Sequence, residues 1–212
     1  MILYGSSLSP FVRKTMAYLA EKGLSAEIVP VGVQDPNPAF RACSPFGKMP
    51  GFSDGDFAIS DSTAIITYLE AKHPTPSMVP ADPAGRARTI WYEEFADTIL
   101  IACVGKLFFN RVVAPRFLGL PGDQAVADAA ERDELPPLFD YLEGVVPASG
   151  FLVDDRLTLA DLAVASPFVN LAHLGIEPNG KTHPKTKAYV DAILARPSFA
   201  PIIAQEKAFF AR

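Results

Sequence analysis

The sequence predicts an α/β N-terminal domain followed by an all-α C-terminal domain. Three observations carry this. Residues 1–74 alternate short apolar runs with helix-spaced segments in the order β-α-β, loop, β-β-α. Residues 75–83 hold three prolines, Pro76, Pro80 and Pro83, and read as a linker. Residues 84–212 carry helical spacing throughout.

Ile2-Leu3-Tyr4 is a short strand ended by Gly5-Ser6-Ser7. Ser9-Pro10 then opens a helix with Phe11, Val12, Met16, Leu19 and Ala20 on one side. Serine is a favoured N-cap, and proline suits the first helical position because its missing N–H would be unpaired there. Gly23 supplies the stop. Residues 27–31 (EIVPV) read as a second strand, demoted towards an edge by Pro30. Strand, helix and strand within about thirty residues make a βαβ unit, so these strands should be parallel. Residues 39–42 suggest one helical turn, residues 49–52 a short extended piece leading into the third strand, Asp54-Gly55-Asp56 a hairpin turn, and residues 57–59 a fourth strand. Asp61-Ser62 opens a helix ending near His73-Pro74.

In the second half, residues 84–116 read as one long helix, broken by residues 119–122. Residues 123–146 form another, which Pro136-Pro137 should split or kink. Thr158 and Asp161 fit a capping box, with Leu157 and Leu162 as its staple. The helix that follows is apolar nearly all round, which predicts the centre of the helical domain, with a kink at Pro167. Helices over 184–195 and 198–211 close the chain.

Composition narrows the function. Hydrophobic residues make up 49% of the 212, which argues for a packed core. Net charge is −5 with no basic run, so nucleic acid is not an expected partner. The longest uninterrupted apolar stretch, residues 98–104, is too short to span a membrane, and no signal peptide pattern opens the chain. Cys43 and Cys103 are far apart, which leaves no dithiol motif. His73, His173 and His183 lack ligand spacing, so solvated or capping roles are expected and no metal. A cytoplasmic protein fits these features.

Three separated features would converge in a thioredoxin-like arrangement: Ser9 at the start of the first helix, Lys48-Met49-Pro50 before the third strand, and Asp61-Ser62 at the start of the third helix. A Ser-Pro pair by itself reads as a helix cap. The other two features suggest more. The residue before a cis-proline presents extended backbone that can pair with a bound peptide. A helix N-terminus with Ser62 suits a carboxylate, Asp61 an ammonium group, and Lys48 a second carboxylate. The implied ligand is a short peptide-like molecule with carboxylates at both ends and an amine at one.

Four segments in this order, LYGSSLSPFVRK, SPFGKMP, ISDSTAIITYLEAKHP and LTLADLAVASPFVNL, make the chain resemble the cytosolic glutathione transferase superfamily along essentially its whole length. The resemblance implies a thioredoxin-like N-terminal domain, an all-helical C-terminal domain, and usually a homodimer. It implies glutathione as co-substrate, bound by Ser9, Lys48, Met49, Pro50, Asp61 and Ser62, with Ser9 as the catalytic hydroxyl. Pro50 matches the family's cis-proline, and Met49 stands where valine is commoner. Asp61-Ser62 matches a Glu/Gln-Ser pair with a shorter acid. Ser9 stands where omega-like relatives have cysteine. That disfavours thiol transfer and favours activation of a borrowed thiol for detoxifying conjugation.

Two other readings stay open. One is a peroxidase, isomerase or lyase using the same thiol, and the other a binding or scaffold protein that kept the fold without turnover. The expected electrophile is small and hydrophobic, in an apolar cleft between the domains. Candidate walls are residues 6–8 and Phe108, Phe109 and Val112, although on a bundle helix such residues are more often plain core.

Overall fold

The N-terminal apolar run forms β1 (Ile2–Tyr4), an inner strand of a four-stranded sheet ordered β2-β1-β3-β4. The computed structural model describes residues 1–211. The chain divides into two units, residues 1–79 together with 196–211, and residues 80–195.

In the first unit β1 pairs with β2 (Glu27–Val29) in parallel, as a βαβ unit requires. Strand β2 stops at Val29, two residues short of expectation, because Pro30 has no N–H to give the ladder. Val31 instead joins a buried cluster with Tyr4, Phe40 and Cys43. Strands β3 (Gly51–Asp54) and β4 (Phe57–Ser60) form the expected hairpin across Gly55-Asp56. Strand β3 begins at Gly51, so Met49 and Pro50 precede the ladder, as expected.

Helix α1 (Pro10–Glu21) is capped at both ends as predicted. At its C-terminus Gly23, with φ +66°, donates to Ala20, and Leu24 donates to Leu19. This is the paired closure that a left-handed residue permits. The turn expected at 39–42 is the middle of a longer helix, α2 (Pro38–Cys43). Asn37 Oδ1 caps it, accepting from Ala39 N–H at 2.9 Å and Phe40 N–H at 3.2 Å. Helix α3 (Ser62–Lys72) follows β4.

The second unit is helical. Its first helix runs Pro83–Leu118, 36 residues, but not as a uniform α-helix. Segments α4 (Pro83–Glu94) and α5 (Ile101–Phe108) alternate with π-helical stretches Phe95–Leu100 and Phe109–Leu118. Pro115 lies in the second stretch, where it withholds one donor from the helix. By length and composition this helix could cross a membrane, a point that the uninterrupted-run criterion missed. It packs along α8 and is partly buried there, which is the setting of a bundle helix.

Helix α6 (Gln124–Ala129) leads through a π-helical stretch, Ala130–Glu134, into α7 (Leu135–Val145). Pro136 and Pro137 open α7 directly after the π-helical stretch, to which they have no N–H to donate. Helix α8 (Leu159–His173) is buried at every position from Leu159 to Leu171 and continues through Pro167. Asp161 accepts from Thr158 N–H at 2.8 Å, forming one half of the expected capping box. Leu152 N–H at 2.9 Å and Tyr189 O–H at 3.3 Å reach its other oxygen. Helix α9 (Pro184–Leu194) completes this unit.

Helix α10 (Ala200–Phe210) belongs with the first unit, whereas the sequence grouped it with the helical half. Two polar clasps to α1 account for the difference. Arg196 and Ser198 hold Glu21, and Glu206 holds Arg13.

Candidate functional site

The strand register brings the three predicted features to one end of the sheet. Tyr4, the last residue of β1, lies opposite Gly51, the first of β3. Gly51 in turn lies opposite Ser60, the last of β4. The segments leaving Tyr4 towards Ser9, entering Gly51 from Lys48-Met49-Pro50, and leaving Ser60 towards Asp61-Ser62 therefore share one edge.

Ser9 caps α1 from extended backbone, and its Oγ accepts from Val12 N–H at a long 3.5 Å. The turn beneath it is closed by Ser9 N–H donating to the Ser6 carbonyl at 3.0 Å. Ser9 is half-buried, and its hydroxyl proton goes to no acceptor among the described residues.

The Met49–Pro50 bond is cis. The Met49 side chain packs against the cluster of Tyr4, Val31, Phe40 and Cys43. Its backbone N–H and carbonyl form no hydrogen bond among the described residues. Lys48 is exposed. Its backbone is held by Ser44, whose Oγ accepts from Lys48 N–H at 3.0 Å and donates to the Lys48 carbonyl at 2.7 Å.

Asp61 sits at φ +83°, rare for a residue with a side chain. Its Oδ1 caps α3, accepting from Thr63 N–H at 2.9 Å and Ala64 N–H at 3.1 Å. Its own N–H donates to the Pro50 carbonyl at 3.3 Å, which joins the second and third features directly. Ser62, the first residue of α3, is 2% exposed.

Sequence reasoning passed over the residues that support this edge. Ser44 is one. Gln34 and Arg41 are others. Gln34 Nε2 donates to the Phe46 carbonyl at 2.7 Å, and Arg41 Nη1 donates to Gln34 Oε1 at 3.0 Å. Arg41 lies so close over Gly47 that a Cβ there would stand 2.1 Å from its Nη1. The glycine before Lys48, at φ +64°, was the one local signal that something crosses the chain there.

Of the two cysteines, Cys43 lies in the buried cluster that Met49 packs against, and Cys103 lies in the helical unit. Burial raises the Cys43 thiol above its ordinary value and lifts Cys103 to about 11, so both stay protonated at neutral pH. His73 ends α3 and His183 precedes α9, which are capping positions. Of the candidate walls, Phe108 and Val112 are buried in the helical unit and Phe109 is exposed.

The family model described as glutathione S-transferase, N-terminal domain, matches residues 3–77, and that described as glutathione S-transferase, C-terminal domain, matches residues 99–197. A glutathione S-transferase of Hyoscyamus muticus is 31% identical over 208 residues, covering 96% of this chain and 97% of the relative. The crystal structure of a glutathione S-transferase from Rhodospirillum rubrum F11 superposes with TM-score 0.85 at 28% identity, covering 94% of this chain and 90% of that one. A glutathione S-transferase from Methylobacterium radiotolerans, in complex with glutathione sulfonate, gives TM-score 0.77 at 28% identity, covering 95% and 93%. Matched across both halves and nearly end to end, the chain belongs to the glutathione S-transferase family.

Proposed function

We propose that the protein is a glutathione transferase that activates the glutathione thiol at Ser9 for attack on a small hydrophobic electrophile. One observation carries the reading: a serine hydroxyl with an uncommitted proton shares a sheet edge with an uncommitted backbone amide and carbonyl at Met49. A strained acid, Asp61, sits beside them. Strain at a residue with a side chain persists where the surroundings over-determine it, often at binding sites.

In this reading the cysteinyl backbone of glutathione pairs with Met49 in the manner of an added strand. Asp61, with Oδ1 occupied by the cap, offers Oδ2 to the γ-glutamyl ammonium. Ser62 and the first turn of α3 take the adjacent carboxylate. Lys48 takes the glycyl carboxylate. The sulfur then meets Ser9 at the N-terminus of α1.

A free thiol titrates near 8.5, so only about 3% is thiolate at pH 7. Lowering that by about two units raises the thiolate to roughly three-quarters and is worth ~2.7 kcal/mol. A hydroxyl donor together with the positive helix end can supply stabilisation of that size. The thiol proton leaves to solvent. The sulfur lone pair forms the new bond to carbon, and the leaving group departs with its electron pair. Ser9 keeps its proton throughout and acts as a donor.

The family likeness also supports a homodimer working in the cytoplasm. Sedimentation equilibrium at micromolar protein tests the first point. The test of the mechanism is Ser9→Ala with an aryl halide as electrophile. Turnover falls by about 10²-fold while glutathione affinity changes less than about threefold. Ser62→Ala does the opposite, weakening affinity by about tenfold. Unchanged turnover in Ser9→Ala removes Ser9 from the mechanism.

A further inference from the structure

A buried ion pair joins α1 to α10 across 193 positions of sequence. Arg13 is 0% exposed and Glu206 is 2% exposed. Arg13 Nε donates to Glu206 Oε1 at 3.0 Å and Nη2 to Oε2 at 2.9 Å. Such a pair is a poor source of net stability. Removing two charges from water costs about as much as their attraction returns, and apolar residues of similar volume often serve as well or better. What two parallel bonds supply is geometry, since they fix both the plane and the position of the guanidinium.

The location gives that geometry a use. Arg13 is four residues after Ser9, so it stands on the same face one turn along, and helical side chains lean back towards the N-terminus. Its position therefore closes the turn that Ser9 opens. Its backbone N–H donates to the Ser9 carbonyl at 2.9 Å, closing that turn. At the far end of α1, Glu21 is held by Arg196 at 2.8 and 2.9 Å and by Ser198 at 2.6 Å. The C-terminal segment thus grips α1 at both ends, and the buried grip is the one beside Ser9.

We infer that Glu206 is a positioning residue for the thiol-activating turn of α1, acting through Arg13. The inference rests on the glutathione reading above. The clasp holds the first turn so that the Ser9 hydroxyl and the helix N-terminus meet sulfur at hydrogen-bond distance. Small displacements there are costly, since about 1 Å of misplacement from a remote change can lose up to 10²-fold in rate.

The test uses the full chain, glutathione and an aryl halide, and reads kcat, glutathione KM, ultraviolet absorbance of the bound thiolate, and melting temperature. The double variant Arg13→Met/Glu206→Leu removes both charges of the pair together and keeps the volume. It should retain its melting temperature within about 4 °C and its glutathione KM within about threefold, while kcat and the bound-thiolate signal fall together by about fivefold or more. Glu206→Asp keeps the charge pair and withdraws the carboxylate by one methylene. It should lose about two- to threefold in kcat and bound thiolate at unchanged KM. If the double variant folds and keeps wild-type kcat and thiolate signal, the clasp is structural only and the inference fails. If the double variant does not fold, Glu206→Asp decides on the same readouts, and wild-type values overturn the inference. A wild-type protein showing no bound thiolate defeats the glutathione reading itself, a result distinct from either of these.

Discussion

The backbone N–H of Asp61 donates to the carbonyl of Pro50 at 3.3 Å, tying the start of α3 to the segment that precedes β3. Two stretches that would each hold one part of a peptide ligand are thereby set in fixed relation. The bond continues the β3–β4 pairing by one rung, and at φ +83° the chain turns beyond it so that the Asp61 side chain caps the helix that follows.

Asp61 does two jobs that substitution can separate. Asn keeps the capping oxygen and tolerates positive φ, so Asp61→Asn should change unfolding free energy by less than about 0.5 kcal/mol. It removes the charge offered to the ammonium group, so glutathione KM should rise by about 5- to 20-fold. Asp61→Ala loses the cap as well and should cost an additional ~1–2 kcal/mol in stability. Urea denaturation alongside glutathione titration separates the two effects. Equal KM values for wild type and Asp61→Asn would withdraw Asp61 from ligand binding.

Ser44 is a support residue with no expected contact to substrate. Its buried hydroxyl both accepts from and donates to the Lys48 backbone. Ser44→Ala leaves both groups without that partner and should lower stability by ~1–2 kcal/mol. Because Lys48 and Met49 then lose their anchor, glutathione KM should rise by about threefold with kcat little changed. Thermal melts and steady-state kinetics check both.

Asp161 predicts a pH-dependent stability. Burial lifts its carboxyl to about 6, against the pull of donors from Leu152, Thr158 and Tyr189. The folded chain therefore holds a proton there at pH values where the unfolded chain, titrating near 3.9, does not. That contribution to stability is fully present below about pH 4 and is lost as pH rises through 6, by up to ~1.4 kcal/mol per unit between these values. In Asp161→Asn this dependence disappears. The amide also turns a donor towards Thr158 N–H, at a cost of ~1–3 kcal/mol. Urea unfolding of both proteins at pH 4.5 and pH 7 measures the difference. Parallel pH dependence in wild type and variant would rule out Asp161 as its source.

Several site elements were legible because their signals are local. Ser9-Pro10 and Gly23 delimit α1 within a turn of each end, and Asp61 caps α3 through N–H groups two and three residues away. The βαβ order implied parallel strands, and β1 and β2 pair in parallel. The π-helical stretches were not legible. Residues 95–100 contain neither proline nor glycine to mark the change, and nothing in the local chain accounts for it. The extent of α2 was understated because the Asn37 cap sits in a run of prolines and polar residues that reads as loop. The support given by Gln34, Arg41 and Ser44 depends on side chains folding back across a turn, which spacing alone does not reveal.

By itself, the sequence determined the element order, the helix that begins at Ser9, the cap at Asp61, and the buried character of α8. Each rests on interactions within a few residues or on one period of apolar spacing, which a chain carries wherever it is placed. Tertiary structure alone decided that Tyr4, Gly51 and Ser60 align so that these features share one edge. It alone decided that α10 returns to the first unit and that Glu206 meets Arg13. Those outcomes depend on strand register and on contacts across 193 positions, where the gain comes from burying two distant surfaces together. No local pattern encodes which distant partner completes such a pair.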